Sequence, residues 1–193
     1  MTEILAPWRP ILSRALHRNR SLPNARYFQL ATINLQGQPT NRTVVFRGFL
    51  EDSNQLQIIT DSRSDKINHI HHHSVSEICW YFPKTREQFR ISGNLTIINE
   101  NHHHQASRIA VWQNLSDSAR QQFTWPDPGQ FLTEDKKDFL QNTPSKNKPI
   151  ANFILLLFNP EKVEHLELRG NPHQRTLYYF DDSRNWVKQE INP

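Results

Sequence analysis

Residues 60–66, Thr-Asp-Ser-Arg-Ser-Asp-Lys, and residues 67–73, Ile-Asn-His-Ile-His-His-His, set two chemistries side by side. The first half carries hydroxyls and cations, the usual company of a phosphate. The second carries His69, His71, His72 and His73, a residue type that ligates metals. Asp61, Ser62 and Ser64 are candidate N-caps for a helix over 64–73. Lys66 then stands in the first turn, where an isolated helix prefers negative charge. An anion docked at that end removes the conflict, because free backbone amides and the cations Arg63 and Lys66 converge on it. On this fragment alone, a solvated role for the two cations carries more weight. His69 and His73 have the i, i+4 spacing of a chelating pair. Consecutive imidazoles diverge by about 100° on a helix, however, and no Asp, Glu or Cys stands nearby as an obvious third ligand. A second run, His102 to His104, opens the next helical block beside Glu100. Both runs read as solvated, and no metal site is expected.

Arg42 and Arg47 bracket an apolar strand segment, Thr43-Val44-Val45-Phe46. Arginine is the natural fork for a phosphate. The odd spacing sends the two to opposite faces of a regular strand, so one of them faces a given ligand unless a bulge intervenes. Gln88 begins a strand on polar ground, and an amide that donates and accepts suits the edge of a planar heterocycle. The five glycines, at positions 37, 48, 93, 129 and 170, never cluster. A Rossmann fingerprint and a P-loop are therefore excluded, since both need grouped glycines to bring backbone amides onto phosphates. Any phosphate must be held by side chains and a helix end.

These residues need elements to position them. The 193 residues suffice for one domain with a core, expected over 1–193. A hydrophobic share of 36% is low, which points to a core completed partly by a partner subunit. The net charge of +4 is compatible with a solvated basic face, a nucleic acid or a phosphorylated ligand. Cys79 is the single cysteine, which excludes an intramolecular disulfide and fits a reducing, cytoplasmic setting. No apolar run reaches membrane-spanning length, and the start lacks a signal-peptide centre. Instead Trp8, Ile11, Leu12, Ala15 and Leu16 recur at helical spacing, predicting a helix laid on the body. Strands are predicted at residues 25–49 (two, with a turn at Gln36-Gly37), 55–60, 75–82, 88–98, 150–158, 162–168, 175–180 and 185–191. Residues 100–140 read as helical, broken by Trp125-Pro-Asp-Pro-Gly129. Hairpin strands with helices set aside in one block make the fold α+β, an antiparallel barrel with flanking helices.

In order and spacing, the motifs resemble the pyridoxamine/pyridoxine 5′-phosphate oxidase family of flavin proteins. Its L-A-T strand, G-x-P and R-x-V appear as Leu30-Ala31-Thr32, Gly37 and Pro39, and Arg42 and Val44. Its Tyr-Thr-Asn strand end and Ser-Arg-Lys helix match residues 59–66 without a gap, and the match continues to Gln88 and Gly93. Residues 171–178 and 185–193 look like its R-x-H-x-R and W-x-x-x-R-L-x-P. The resemblance implies a split antiparallel β-barrel and a homodimer holding FMN between its subunits. It implies cofactor contacts at Arg42, Thr43, Val44, Val45, Arg47, Thr60, Ser64 and Lys66, with Gln88 (from the other subunit) and Arg175 at the same flavin. Substrate contacts fall at Arg47, Asn171 and His173. There are departures. Asp65 replaces the family's helix arginine, for which Arg63 is the expected substitute; Ile59 replaces a tyrosine, and His165 falls near the flavin-contacting tryptophan. The Tyr-x-x-x-Arg…Ser grip on the vitamin's phosphate is missing from 100–140, and Asn171 replaces the first arginine of R-x-H-x-R. The expectation is an FMN-binding relative whose substrate half is rebuilt, an oxidoreductase of unknown substrate without nucleic-acid or membrane partners. The rivals are a genuine vitamin B6 oxidase, a basic nucleic-acid-binding barrel using Trp80, Tyr81 and Phe82, and a His-rich metal binder.

Overall fold

The computed structural model describes residues 5–132 and 136–193. Helix α1 (Arg9–Asn19) precedes strands β1 (Tyr27–Ile33), β2 (Pro39–Val45), β3 (Gly48–Phe49) and β4 (Leu56–Asp61). Helix α2 (Asp65–His72) leads into β5 (Val75–Phe82) and β6 (Glu87–Ile98). Two short helices, α3 (Gln105–Gln113) and α4 (Asp117–Gln121), precede β7 (Phe153–Glu167), β8 (Gln174–Phe180) and β9 (Trp186–Ile191). None of the described helices is long and apolar enough to cross a membrane.

All nine strands join one antiparallel sheet, whose main path runs β2-β1-β5-β6-β7-β4-β3. The two ends of that path are pieces of one chain segment. Phe46 N donates to Arg26 O at 2.8 Å, beside β1, and Arg47 N donates to Gln57 O at 2.9 Å, in β4. Within two residues the strand transfers from one side of the sheet to the other, which curls it into a split barrel. Beyond the transfer point β2 pairs with β1 and β4 pairs with β7, and their facing edges do not pair. The gap between those edges is the split.

The barrel interior is filled by Phe28, Leu30, Phe46, Leu56, Ile58, Ile78, Trp80, Phe82, Phe89 and Ile91. The expected N-terminal helix is present: Leu12 and Ala15 are fully buried, and Trp8 meets Trp186 edge-on at 5.9 Å. Residues 153–158 of β7 are buried on both faces. Ile154, Leu156 and Phe158 join the barrel core, while Phe153, Leu155 and Leu157 pack against Val111, Trp112 and Phe123 from the helical block. A strand covered on both sides reads as a continuous apolar run. Burying one such side chain stabilises by about 1.5–3 kcal/mol.

Two expectations are corrected. The separate strands over 150–158 and 162–168 are one 15-residue strand, because the 12-residue β6 pairs along nearly all of it. A bulge absorbs Pro160: Ser92 opposes Lys162 while Gly93 opposes Pro160, the kind of place where a strand tolerates proline. The helical block is also less helical than its pattern implied. Beyond α4 it holds only 3₁₀ turns at Gln122–Thr124 and Lys136–Phe139; residues 133–135 lie outside the described chain.

Candidate functional site at the split of the barrel

A cleft of about 520 Å³ occupies the split, within the usual range for small-molecule sites. Arg42, Thr43, Val44, Val45 and Arg47 line one side, and Ile59, Thr60 and Asp61 the other. Side chains on a strand alternate between faces, so four consecutive lining residues mean that the cleft abuts the strand's edge. The unpaired backbone groups of β2 are thereby offered to a ligand. This also explains how Arg42 and Arg47 border one cavity despite their odd spacing.

One corner of the cleft gathers the cations. Arg42 donates from Nη1 to Leu30 O (3.1 Å) and Thr32 Oγ1 (2.7 Å), and from Nη2 to Thr40 Oγ1 (2.8 Å). Three of its five N–H donors are thus held by the sheet. The Nε–H and the remaining Nη2–H have no protein partner among the described residues. They form one edge of the fork, the geometry that takes two oxygens of a phosphate or carboxylate. Lys66 Nζ donates to Thr60 Oγ1 at 2.9 Å and Ser64 Oγ at 2.5 Å, leaving its third proton available. Burial, and then the charge of Arg42, bring the Lys66 pKa down to about 8. Ser64 is the N-cap of the eight-residue α2, yet its side chain caps nothing, being held by Lys66. The first-turn amides of Asp65 and Lys66 lack protein acceptors among the described residues, so the helix end adds its positive potential. Thr60, Ser64, Lys66 and Arg42 come together at one corner, where the family resemblance puts them.

Arg63 does not join them. Its Nε and Nη2 bind both oxygens of Asp61 (2.9 and 2.7 Å), and Nη1 reaches Asp127 Oδ1 (2.8 Å) and Trp125 O (3.0 Å). The last donor goes to Phe123 O at 3.3 Å. All five are spent on tying residues 123–127 to the end of β4. Arg63 therefore builds the wall of the cleft, with Phe123, Trp125 and Pro126 beside it. Sequence reasoning passed over this wall, taking residues 125–129 as a break in a helix; Asp61, two residues before Arg63, was the one local signal, and Asp127 lies 64 positions away.

The remaining candidates lie elsewhere on the protomer. Gln88 opposes Leu166, which opposes Arg175, so the three form one row on the outer face of the sheet. Arg175 is paired with Glu164 there. Asn171 and His173 are exposed in the β7–β8 loop. None of these four borders the cleft of its own chain. Arg47 sits where the strand transfers, its Nε buried without a partner. Burial, and then the neighbouring Arg26, lower its pKa. His165 is inside the barrel, 2% exposed, stacked on Phe89 with centroids 4.4 Å apart. Its Nε2 lies 2.9 Å from Glu87 Oε2. Burial acts against ionised Glu87, but hydrogen bonds from His165 and Thr85 outweigh it and lower its pKa. His165 is thus a core residue and does not line the cleft of its own chain, as its standing as a departure from the family pattern implied.

His71, His72 and His73 are exposed at the far end of α2, and among the described residues no group of three or more His, Cys, Asp or Glu side chains is placed to hold a metal. Replacing the three with glutamine is expected to leave cofactor content unchanged, measured as flavin absorbance per protein. Loss of flavin, or of a stoichiometric metal, would contradict this placement.

Comparison with known proteins bears on the family and the fold. Residues 5–99 match the family described as pyridoxamine 5′-phosphate oxidase, FMN-binding domain. The chain is 38% identical to pyridoxine/pyridoxamine 5′-phosphate oxidase 2 of Arabidopsis thaliana, over 98% of each sequence. Among solved structures, a pyridoxamine 5′-phosphate oxidase-related, FMN-binding protein of Nostoc punctiforme superposes with a TM-score of 0.95. That protein is 53% identical, with 99% of this chain and 100% of the other covered. PhzG of Burkholderia lata, at 17% identity and a TM-score of 0.79, shares the fold over 100% of this chain and 99% of its own. A split barrel with a two-cation corner and near full-length likeness to these proteins places the chain in the FMN-binding pyridoxamine 5′-phosphate oxidase family.

Proposed function

We propose that the chain is an FMN-dependent oxidoreductase that works as a homodimer on a substrate not gripped through a phosphate. The observation that carries this reading is the corner formed by Arg42, Lys66 and the N-terminus of α2. FMN ends in a phosphate dianion, and the open fork edge of Arg42, the third proton of Lys66 and the uncapped amides match its oxygens. The free backbone edge at Thr43, Val44 and Val45 suits the polar rim of the flavin ring, so the residues fit the cofactor. Bound there, FMN supplies an acceptor for a hydride or an electron pair. The chain's own residues bind and orient it, while Phe123 and Trp125 shield the cleft from water. Gln88 and Arg175, and the loop carrying Asn171 and His173, are assigned to the cleft of a second copy. Their row faces outward together with Tyr81, which opposes Gln88 and is 46% exposed. The absence of the vitamin's phosphate grip from 100–140 supports a different substrate. The full-length likeness to an Arabidopsis vitamin B6 oxidase favours the second reading, a genuine oxidase with a relocated grip. The setting is taken to be cytoplasmic, in keeping with one unpaired thiol.

Titration of apoprotein with FMN and riboflavin tests the site. Charge-assisted hydrogen bonds contribute about 1.5–3 kcal/mol each, so FMN should bind at least roughly tenfold more tightly; equal affinities defeat the phosphate assignment. Light scattering on the yellow holoprotein should show a dimer, and a monomer that retains FMN defeats the shared cleft. Pyridoxamine-phosphate turnover matching an authentic oxidase would establish the second reading.

A further inference from the structure

One member of the histidine run is unlike the others. His69 follows Lys66 by three positions on α2, on the same side of the helix. It is half-buried, where His71, His72 and His73 are exposed. Its Nδ1 lies 3.1 Å from Thr32 Oγ1 and 3.4 Å from Thr40 Oγ1. Those two hydroxyls, 3.0 Å apart, are the acceptors that hold both terminal nitrogens of Arg42. We propose that His69 is a positioning residue for the anion corner, fixing Arg42 through the Thr32–Thr40 hydroxyl pair. The inference rests on the phosphate reading of that corner and deepens it.

The proton inventory gives the reason. Each threonine oxygen accepts one N–H from Arg42 and owns one proton that must be donated. Thr40 can donate to Thr32 O at 3.3 Å or to Thr32 Oγ1. Thr32 is 1% exposed, so bulk water cannot take its proton. With Nδ1 as acceptor, Thr32 donates to His69, Thr40 donates to Thr32, and both oxygens keep a lone pair aimed at the guanidinium. Without it, Thr32 must turn its proton onto Thr40, and Thr40 falls back on the long bond to Thr32 O. The hydroxyls that hold the end of the Arg42 fork then lose their fixed orientation, and the open edge loses its aim. His69 touches no ligand in this scheme. It acts on FMN affinity through the phosphate alone.

The experiment measures FMN and riboflavin affinities for wild type, His69→Phe and His69→Asn. Phenylalanine keeps a planar ring and removes the acceptor; asparagine restores a polar atom near the place of Nδ1. One neutral hydrogen bond corresponds to roughly a 2- to 12-fold change. His69→Phe should lose that much FMN affinity with riboflavin affinity unchanged, and His69→Asn should recover most of it. An unchanged FMN-to-riboflavin ratio in His69→Phe, or equal weakening of both flavins, overturns the proposal. A wild type without FMN preference would instead overturn the phosphate reading beneath it. Should His69→Phe fail to fold, Thr32→Val supplies the second arm, with the same selective loss expected. Where both variants fold, the double variant should lose little more than either alone, and additive losses overturn the coupling.

Discussion

Lys66→Ala is expected to weaken FMN binding about 10- to 100-fold and to remove its decline above pH 8, while barely affecting riboflavin. The affinity loss follows from one charge-assisted bond of about 1.5–3 kcal/mol. The pH behaviour follows from the lowered pKa of Lys66, about 8 instead of 10.5. Above pH 8 the empty site has lost the ammonium, so phosphate binding must take up a proton. Affinity then falls by about tenfold per pH unit. On the acid side, the phosphate itself becomes a monoanion below about pH 6 and affinity falls again. The wild-type profile is therefore a plateau between these limits, and the variant keeps only its acid limb. The empty fold behaves in the opposite sense. Between pH 8 and 10.5 the unfolded chain binds more protons at Lys66 than the folded one, so apoprotein stability rises with pH across that window. Below pH 8 the charged form is the buried one and its full cost is present. Titrations in a pH series settle the matter. An equal alkaline decline in wild type and Lys66→Ala would mean that another group titrates, and Lys66→Arg should hold affinity to higher pH at some cost in fit.

The elements were legible because their signals are local. Alternation in residues 27–33 and 87–98, the turn at Gly37 and the amphipathic start at Trp8 each report on a few neighbouring residues. The candidate site was partly legible for a different reason: Lys66 stands in a first helical turn against local preference, and an anion removes the conflict; Arg42 joined it only through the family resemblance. What stayed hidden is long-range. The pattern of residues 153–158 is that of a doubly covered strand, but nothing local says that β7 continues past Pro160, since that depends on Gly93 opposite. Nor does Arg63 announce that Asp127, 64 positions away, will take its charge. His69 was set aside with its neighbours because a run of identical residues hides the one whose helical phase brings it onto the sheet.

Gly93→Ala is expected to lower stability by about 2–3 kcal/mol, the largest effect of any single added methyl group at the described glycines. A Cβ there would lie 2.0 Å from Asn159 O and 2.9 Å from Asn159 C, both main-chain atoms, and 3.0 Å from the Phe158 ring. A flexible side chain can swing aside, but this obstacle is the backbone of β7, where β6 crosses it at the bulge. Phe158 is fully buried in the barrel core and opposes Leu56 of β4, so the obstructing segment is pinned from its other edge. Forcing one carbon into such packing costs about 1–3 kcal/mol and occasionally more, and a 2.0 Å approach to main chain puts this site at or above the top of that range. The gain from a stiffer unfolded chain returns only about 0.4–1 kcal/mol. In a chain of this length each kcal/mol lowers Tm by about 2–4 °C, so a fall of roughly 4–12 °C should appear in thermal melts of the apoprotein. Gly37→Ala is the control: its φ of +77° disfavours alanine, but nothing lies within 4 Å of the added carbon. Its loss should stay near 1 kcal/mol. Equal losses in the two variants would show that the β6–β7 crossing relaxes around a methyl group, and that the bulge, not the missing side chain, sets the separation of the strands.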